Sequence, residues 1–381
     1  MSLSSAEVFK KEAVRTEWIA RNLWPWIRPL FKKYLSPRCK RCVNNVHYSR
    51  LNEEGLCEHC LQFHPESADK DIPAEWSEEL HQLLANPPKT GGPYDALLLF
   101  SGGKDSSYML HRLRNEYSHL RILLLFVDNG FLSPVAIQNA ESVAQRFSMD
   151  FVRWTINKDF VKKVFQKSFH NIRNQKSYSI VDLMDGQMTF DTARNLALHM
   201  KVPIVLCGLG RVQLENVYGR IGFEMSEDQE KNPFETQLGK NLTEEFTNDE
   251  LSYWYQRPQD PSDFRPRFVM PLVVWDPSEE EILKVITEQG MLELSSTSPL
   301  VTNNQIIPLI GISEVNLLGY STFEIEFSKN LRAGKIERSY WLNLFEMLEL
   351  SAKTGKFLGA TIVSTLERLH LTSSDLGWSK R

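Results

Sequence analysis

The sequence predicts an α/β protein built on a doubly wound parallel sheet. From about residue 94, apolar segments of strand length alternate with longer segments of helical periodicity, the pattern of repeated strand–helix units. The segment Ile122–Val127 is six consecutive apolar residues, as expected of a strand covered by helices on both faces. Such units connect by right-handed crossovers, which keeps their strands parallel. The predicted strands are 95–100, 122–127, 150–154 and 203–207.

Helical patterns fill the intervals between these strands. They run from the first strand's loop to about 117, then over 134–147, 158–173 and 180–200. An apolar, strand-like run, Phe268–Leu272, interrupts a polar and aromatic region, and the chain is mostly helical from about residue 285. Loops that follow parallel strands meet at one edge of the sheet. We therefore predict that the loops 101–106, 128–131 and 208–215 surround one pocket.

The first of these loops has the composition of an anion-binding site. The stretch Asp95–Ser107 reads DALLLFSGGKDSS, in which an apolar strand ends in two glycines and a helix begins. Gly102 and Gly103 let backbone N–H groups approach a phosphate closely, and the helix start adds its dipole. Lys104 supplies a positive charge. The spacing is neither that of a Walker loop nor that of a dinucleotide fingerprint. A turn that merely caps the helix is the alternative interpretation.

Four of the five cysteines lie within 22 residues near the N-terminus. They form two Cys-x2-Cys pairs separated by fourteen residues, a spacing typical of a zinc site. Four thiolates fill a tetrahedral shell and leave no open position, so the predicted zinc is structural. An iron–sulfur cluster is the alternative for the same ligands. The predicted ligands are Cys39, Cys42, Cys57 and Cys60.

Composition describes an ordinary globular protein. Of 381 residues, 42% are hydrophobic and 24% charged, the formal net charge is −4 and the pI is about 6.2. The acidic balance disfavours a broadly basic nucleic-acid surface. No window approaches 18 uninterrupted apolar residues, and the first residues lack the basic-then-apolar order of a secretory signal. We expect a cytoplasmic protein without a membrane partner.

The residues SGGKDS after an apolar strand resemble the pyrophosphate-binding loop of the PP-loop ATP pyrophosphatases, also described as adenine nucleotide alpha hydrolase-like proteins. The resemblance implies a Rossmann-like sheet of the HUP and PP-loop type, and cleavage of ATP between the α- and β-phosphates. Together with the paired cysteines and the following DNGF at Asp128–Phe131, the loop is similar to that of the N-acetyl sugar amidotransferase group. That group converts an acetamido group on a nucleotide-linked sugar to an acetamidino group in surface-polysaccharide biosynthesis. The similarity covers roughly residues 38–215.

The resemblance also implies roles for individual residues. Arg211 would stabilise charge on the transferred phosphorus, and Glu215 would bind Mg²⁺; an ordinary helix salt bridge is the alternative for both. Here the chain reads GLGRVQLE over 208–215, where better-known members of the superfamily often carry a Gly-His-x-x-Asp-Asp-like sequence. Val127 and Asp128 would border the adenosine, and Gly208 would lie against the ribose and α-phosphate. The β- and γ-phosphates would be held by Ser101, Gly102, Gly103, Lys104, Asp105 and Ser106.

With these roles the chain divides into five predicted segments. They are an N-terminal helical arm (1–36), a four-cysteine zinc module (37–64), a linker (65–93), a PP-loop ATP-binding domain (94–219) and an acceptor-binding, mostly helical C-terminal region (220–381). The implied cofactors are ATP, Mg²⁺ and Zn²⁺. No residue stands in a plausible glutaminase setting, so ammonia would come from a separate glutaminase partner or from solution. The oligomeric state stays open.

Two other functions compete with the amidotransferase. Sulfur transfer to tRNA or to a small molecule is carried out by related enzymes, many of which use a pair of catalytic cysteines. The helix at 182–199 contains no cysteine, and Cys207 ends a predicted buried strand, so a two-cysteine relay is excluded. A one-cysteine or cluster-bound route stays open. An ATP-sensing or scaffold protein that kept the loop is the non-enzymatic alternative.

Overall fold

Five parallel strands form one sheet in the order β3-β2-β1-β4-β5. The computed structural model describes residues 5–64, 72–293 apart from 177, 220 and 261, and then 297, 300 and 304–378. The predicted parallel sheet is confirmed, and a fifth strand joins it beside β4. The strands are β1 (Ala96–Leu99), β2 (Ile122–Asp128), β3 (Asp150–Thr155), β4 (Ile204–Leu206) and β5 (Arg267–Val269).

The predicted helices are present between and beyond the strands. The apolar run Phe268–Leu272 divides, because the strand ends at Val269 and a helix begins at Pro271, which takes the first helical turn. Up to the end of the fourth strand–helix unit the helices are α1 (Ser5–Asn22), α2 (Trp24–Phe31), α3 (Glu58–Leu61), α4 (Ala74–Ala85), α5 (Lys104–Glu116), α6 (Pro134–Arg146), α7 (Lys158–His170), α8 (Ile180–Met200) and α9 (Arg211–Tyr218). Beyond it are α10 (Pro233–Thr236), α11 (Leu242–Glu245), α12 (Asn248–Leu251), α13 (Pro271–Trp275), α14 (Glu279–Glu288), α15 (Ile306–Leu318), α16 (Thr322–Arg332), α17 (Arg338–Thr354) and α18 (Gly359–Leu369).

Strand β1 lies at the centre of the sheet. It pairs with β2 on one side and with β4 on the other, all in parallel register. The chain first builds outward through β2 and β3, then returns past β1 to begin β4. The strand order therefore switches between β1 and β4, where ligands of open α/β sheets bind beyond the carboxyl ends.

The sheet has a buried centre and an exposed edge. All residues of β1 and β4 are buried, as expected of strands covered on both faces. Strand β3 is largely exposed, in keeping with its place at the edge. Helix α5, which follows β1, packs against α14.

The chain divides into two compact units. The sheet unit comprises Asp71–Val161 and Leu183–Ser298, and the helical unit comprises Met1–Lys70, Lys162–Asp182 and Pro299–Arg381. In the helical unit, α1 and α2 pack on α17 through a core that includes Trp24 and Leu350. The N-terminal four-cysteine module and the helical C-terminal region are thus both present as predicted.

None of the helices in the described ranges is by itself long and apolar enough to cross a membrane. Helices α15 and α16 pass that test of length and composition only as a pair, with a bend of 102° between them.

Candidate functional site

The glycine-rich loop joins β1 to α5 at the centre of the sheet. Helix α5 begins at Lys104 with Gly103 as its N-cap, and no side chain caps its first turn. The first N–H groups of a helix have no acceptor within the helix, so this turn presents backbone donors. Ser101 Oγ lies 3.2 Å from Ser106 Oγ and accepts a hydrogen bond from the Gly103 N–H at 3.3 Å. Both serine hydroxyls therefore border the turn that carries these donors.

Gly102 holds the loop against helix α6. Its φ is +70°, and a Cβ added there would lie 2.2 Å from Ala136 O and 2.9 Å from Ala140 N. The Asn139 side chain donates a hydrogen bond to Gly102 O at 3.2 Å. Both the left-handed backbone and the close approach of α6 require glycine. The predicted role of Gly102 is phosphate contact, and the close packing of α6 by itself accounts for a glycine at this position.

Lys104 is held between two carboxylates. Its Nζ lies 2.9 Å from Asp105 Oδ1 and 3.8 Å from Glu279 Oε1, in the first turn of α14. Burial acts to lower the pKa of the ammonium, but the two carboxylates outweigh it, and the pKa lies above its ordinary value. The side chain is therefore a fixed positive charge beside the loop. Glu279 lies 175 positions from Lys104 in the chain, so no local pattern of residues predicts this pair.

Asp128 lies buried at the carboxyl end of β2, and Val127 beside it is half-buried. Asp128 Oδ1 accepts the Gly130 N–H at 2.8 Å, and Oδ2 accepts from Arg153 at 2.7 and 3.1 Å. The carboxylate thus stabilises the turn after β2 and links it to Arg153 on β3. Both residues lie at the predicted edge, with the polar side chain of Asp128 already engaged by the protein.

The loop after β4 reaches the glycine loop. A Cβ added at Gly208 would lie 3.7 Å from the backbone nitrogen of Ser106, so the end of β4 adjoins the start of α5. This contact lies at the switch in strand order. The structure therefore brings the first and the third of the predicted pocket loops together.

Two further predicted residues lie on α9. Arg211 is its first residue, and Arg211 Nη1 lies 3.3 Å from Asp276 Oδ2. Asp276 is a non-glycine residue with φ of +36°, which follows α13. Glu215 is exposed one turn further along α9. Arg211 thus pairs with the segment after β5, a partner that the sequence analysis did not identify.

Cys207 is a buried thiol at the end of β4. Its backbone N–H donates to Val269 O at 2.9 Å, which extends the pairing with β5. Burial raises the pKa of the thiol to about 12. A thiol with that pKa is protonated at neutral pH and is a poor nucleophile.

The four N-terminal cysteines converge into one cluster. Their sulfurs lie within 4.8 Å of one another and all four residues are buried. Cys39 Sγ is 3.7 Å from Cys60 Sγ, and Cys42 Sγ is 3.6 Å from Cys57 Sγ. A tetrahedral ion with metal–sulfur bonds of about 2.3 Å would place its sulfurs about 3.8 Å apart. The cluster therefore has the dimensions to hold a single metal ion.

Backbone and side-chain donors surround this cluster. The Asn44 N–H lies 3.4 Å from Cys42 Sγ, and the Cys57 N–H lies 3.3 Å from Cys39 Sγ. Arg338, the first residue of α17, donates to Cys42 O at 2.8 Å and to Cys39 O at 2.7 Å. Donors at the sulfurs stabilise thiolate charge, and the arginine holds the first cysteine pair in place.

A buried ion pair on α8 escaped the sequence analysis. Arg194 Nη1 lies 2.8 Å from Asp191 Oδ1, and both side chains are almost fully buried. Gln187 Nε2 donates to the same carboxylate at 2.9 Å, and the guanidinium lies 4.7 Å from the Phe268 ring centroid. The only local signal is a pair of opposite charges three residues apart, which on most helices marks a solvated face.

Comparison with protein families finds no match for this chain. Over 128 residues, 32% of the chain and 43% of the relative, it is 32% identical to an uncharacterised protein of Methanocaldococcus jannaschii. Over 140 residues, 36% of the chain and 40% of the relative, it is 27% identical to the tRNA-specific 2-thiouridylase MnmA of Helicobacter hepaticus. The chain thus spans less than half the length of these curated relatives.

Solved structures show a more distant likeness. The U34-tRNA thiolase NcsA of Methanococcus maripaludis, with its [4Fe-4S] cluster, is 12% identical, with a TM-score of 0.33 over 80% of this chain and 90% of that one. NMN synthetase of Francisella tularensis is 12% identical, with a TM-score of 0.35 over 76% and 95% of the two chains. NH3-dependent NAD synthetase of Campylobacter jejuni is 11% identical, with a TM-score of 0.34 over 77% and 97%. These values are too low to carry an inference about substrate.

The loop and the sheet define an α/β protein with a glycine-rich turn at its strand switch, where the start of α5 presents backbone donors. The SGGKDS motif, its position between β1 and α5, and the partial alignment with the 2-thiouridylase are the features by which the chain resembles the PP-loop ATP pyrophosphatases. None of the named relatives and structures is described as an N-acetyl sugar amidotransferase.

Proposed function

We propose that this protein is an ATP-dependent, AMP-forming amidotransferase. It would adenylate the amide oxygen of an acceptor, an N-acetyl sugar nucleotide of surface-polysaccharide biosynthesis, and replace that oxygen with nitrogen from ammonia. The observation that carries the proposal is the Ser101–Ser106 loop at the strand switch, with Gly208 against its helix start. Backbone donors and a fixed ammonium suit a polyphosphate at this point.

The reaction balances in two steps. The amide oxygen attacks the α-phosphorus of ATP, the bond to the β-phosphate oxygen breaks, and pyrophosphate leaves. Ammonia then attacks the activated carbon, loses protons, and expels AMP, which carries away the former amide oxygen. The product is an amidine, and ATP supplies the dehydration that an amide oxygen does not undergo unaided.

The chain's own residues would divide this work. Lys104, paired with Asp105, would neutralise the departing pyrophosphate, and Arg211, paired with Asp276, would stabilise charge on the transferred phosphorus. Mg²⁺ prefers carboxylate and phosphate oxygens, and Asp105 and Glu279 place two carboxylates beside Lys104. Glu215 is a further carboxylate for that ion. When bound, Mg²⁺ would supply additional charge neutralisation at the phosphates.

The four-cysteine cluster would hold a structural zinc ion. The sulfur separations of 3.6 and 3.7 Å suit one tetrahedral ion. A four-iron cluster binds each thiolate through a different iron, which requires sulfurs further apart. With four sulfur ligands the zinc keeps no position for substrate.

Sulfur transfer is the second candidate, and the alignment with the 2-thiouridylase favours it. The same ATP chemistry activates the acceptor oxygen, and sulfide then attacks the activated carbon in place of ammonia and expels AMP. Five cysteines occur in the chain, and the one outside the cluster is Cys207. Its burial and a pKa of about 12 oppose a role as a sulfur carrier. The acidic pI of about 6.2 also disfavours tRNA as the acceptor.

The deciding assay supplies ATP and an acetamido sugar nucleotide labelled with ¹⁸O in the acetyl oxygen. Ammonium and sulfide are offered in separate reactions. We expect an acetamidino sugar with ammonium, equal amounts of AMP and pyrophosphate, and the ¹⁸O in the phosphate of AMP. ADP and phosphate as products would refute the superfamily chemistry. Formation of product with sulfide but not with ammonium would show that the protein is a thiolase and not an amidotransferase.

A glutaminase partner is part of the same proposal. Adding glutamine alone should give no product, whereas glutamine with a separate glutaminase should replace ammonium. Turnover with glutamine alone would show an ammonia source within the chain and contradict this part.

A further inference from the structure

The N-terminal arm exposes large apolar side chains that the proposed chemistry does not use. On α1, Val14 and Trp18 are 49% and 58% exposed, and on α2, Trp26 and Leu30 are 81% and 75% exposed. Leu23, between the helices, is 36% exposed. Single exposed apolar residues are ordinary, but five within seventeen positions form a concentration. We call these five residues the apolar surface of the arm.

The fold holds this surface outward. Val14 and Trp18 are four residues apart on α1, and Trp26 and Leu30 are four apart on α2, so each pair shares a helix face. The opposite side of α2 is anchored by Trp24, which is fully buried and donates to Glu346 Oε2 at 2.7 Å. The exposed side chains therefore belong to helices that are packed in place, rather than to an unfolded tail.

The segment that carries the apolar surface is rich in positive charge. Residues 1–36 contain seven Lys and Arg against three Glu, a net charge of +4, whereas the whole chain carries −4. The basic residues come both before Trp18 and after Trp26 in the chain. The exposed members are Lys10, Lys11, Arg15, Arg21, Lys32 and Lys33.

We propose that the apolar surface of the arm binds an anionic lipid bilayer peripherally. Tryptophan favours the boundary between headgroups and acyl chains, and lysine and arginine favour anionic headgroups. An anionic bilayer offers both an apolar layer for the exposed aromatic residues and negative headgroups for the exposed basic residues of the same segment. The helices would lie on the bilayer rather than cross it. The expectation of no membrane partner rested on the lack of a spanning segment, which this mode does not need.

Co-sedimentation of the full chain with vesicles tests the proposal. Phosphatidylcholine vesicles with ~30% phosphatidylglycerol should bind the protein, and pure phosphatidylcholine vesicles should bind it far less. Salt at about 1 M should release it, because the Debye length falls to about 3 Å. Trp18→Ala combined with Trp26→Ala should lower the partition coefficient about tenfold or more. Lys32→Gln combined with Lys33→Gln should also lower it about tenfold on anionic vesicles.

Trp154→Ala is the matched control, because Trp154 is 44% exposed on β3 and lies outside the arm. It should bind as the wild type does, and circular dichroism should show all variants folded. Equal binding to both vesicle types, or full binding by the double tryptophan variant, would overturn the proposal. Self-association that depends on Trp18 and Trp26, without vesicle binding, would assign the surface to a second copy of the chain and overturn it as well.

Discussion

Asp105 and Glu279 hold the ammonium group of Lys104 in place. A bound phosphate group would either join these two carboxylates as a partner of the ammonium or displace them. Lys104→Ala removes that charge without altering the loop backbone, so turnover should fall by roughly 100-fold or more. Pyrophosphate release in the presence of ATP and acceptor measures the effect. Lys284→Ala, an exposed lysine on α14, is the control and should leave turnover unchanged. Near-normal turnover of Lys104→Ala would remove the residue from the proposed machinery.

A comparison of Gly102 with Gly91 separates two contributions to the free energy of unfolding, the strain of a left-handed backbone and the steric packing of an added Cβ. Gly91 has φ of +80° with nothing within 4 Å of an added Cβ, whereas Gly102 has φ of +70° and Ala136 O at 2.2 Å. Gly91→Ala should lower the free energy of unfolding by about 1 kcal/mol, because only the left-handed backbone opposes the new side chain. Gly102→Ala should cost roughly 2 kcal/mol more, because α6 must shift. Urea unfolding of both variants checks the difference, and equal costs would contradict the packing argument.

A substitution of Cys207 distinguishes the proposed amidotransferase from sulfur transfer, because only sulfur transfer would use its sulfur atom. Its thiol is buried, and its pKa is raised to about 12. Cys207→Ala should therefore keep most of the turnover, with a packing cost of about 1 kcal/mol. Loss of sulfide-dependent product in this variant, with ammonium inactive in the wild type, would instead identify Cys207 as the sulfur carrier.

Between α8 and α16, two carboxylates share one hydroxyl. Tyr178 Oη donates to Asp182 Oδ2 at 2.7 Å and lies 3.1 Å from Glu326 Oε2. Burial and the neighbouring Asp182 raise the pKa of Glu326 from 4.5 to about 7, and burial also raises the pKa of Asp182. The folded state thus holds its proton more tightly than the unfolded chain does. The resulting stability is fully present below about pH 4.5 and is lost as the pH rises through about 7.

Glu326→Gln keeps the shape of the side chain and removes the ionisation. It should be more stable than the wild type at pH 8, by up to roughly 3 kcal/mol, with the difference vanishing towards pH 4.5. Thermal melts across this range provide the measurement. Glu367→Gln, on an exposed position of α18, should show no such trend. A Glu326→Gln variant less stable at pH 8 would contradict the assignment.

On the scale of the whole molecule, the four-cysteine cluster ties the start of the chain to its last helices. Arg338 on α17 holds two carbonyls of the cluster, and Ser328 on α16 accepts the Val43 N–H at 3.2 Å. Arg38, just before the first cysteine, pairs with Glu324 at 3.1 Å and with a second glutamate on α17 at 2.7 Å. We therefore expect that a metal bound at this cluster stabilises the helical unit well beyond the cysteine loop itself.

Elemental analysis of the purified protein should find about one zinc per chain, and a strong chelator should lower the melting temperature. Cys39→Ser should destabilise the fold by several kcal/mol, because metal binding is coupled to folding. Cys207→Ala, a cysteine outside the cluster, is the matched control. Iron with visible absorbance, or a metal-free protein with an unchanged melting temperature, would contradict a structural zinc.

Local signals account for what could be predicted. The loop at Ser101–Ser106 follows an apolar strand directly, and two residues separate the cysteines within each pair, so both features can be recognised within a few positions of sequence. The alternation of strands and helices likewise follows from residues that are neighbours in the chain. The bounds of strand β5 were harder to predict, because its three residues lead into the apolar helix α13 and no change of hydrophobicity marks the boundary between them.

The sequence by itself determined the α/β class, the glycine-rich loop between strand and helix, and the four cysteines that cluster, because each depends on periodicity or spacing over short distances. Only the tertiary structure decided that β1 lies centrally, that Glu279 faces Lys104, and that Asp276 faces Arg211. It also decided that Asp182 and Glu326 share a tyrosine. These contacts join residues far apart in the chain, and they depend on how helices pack on the sheet and on one another, which no local pattern of residues encodes.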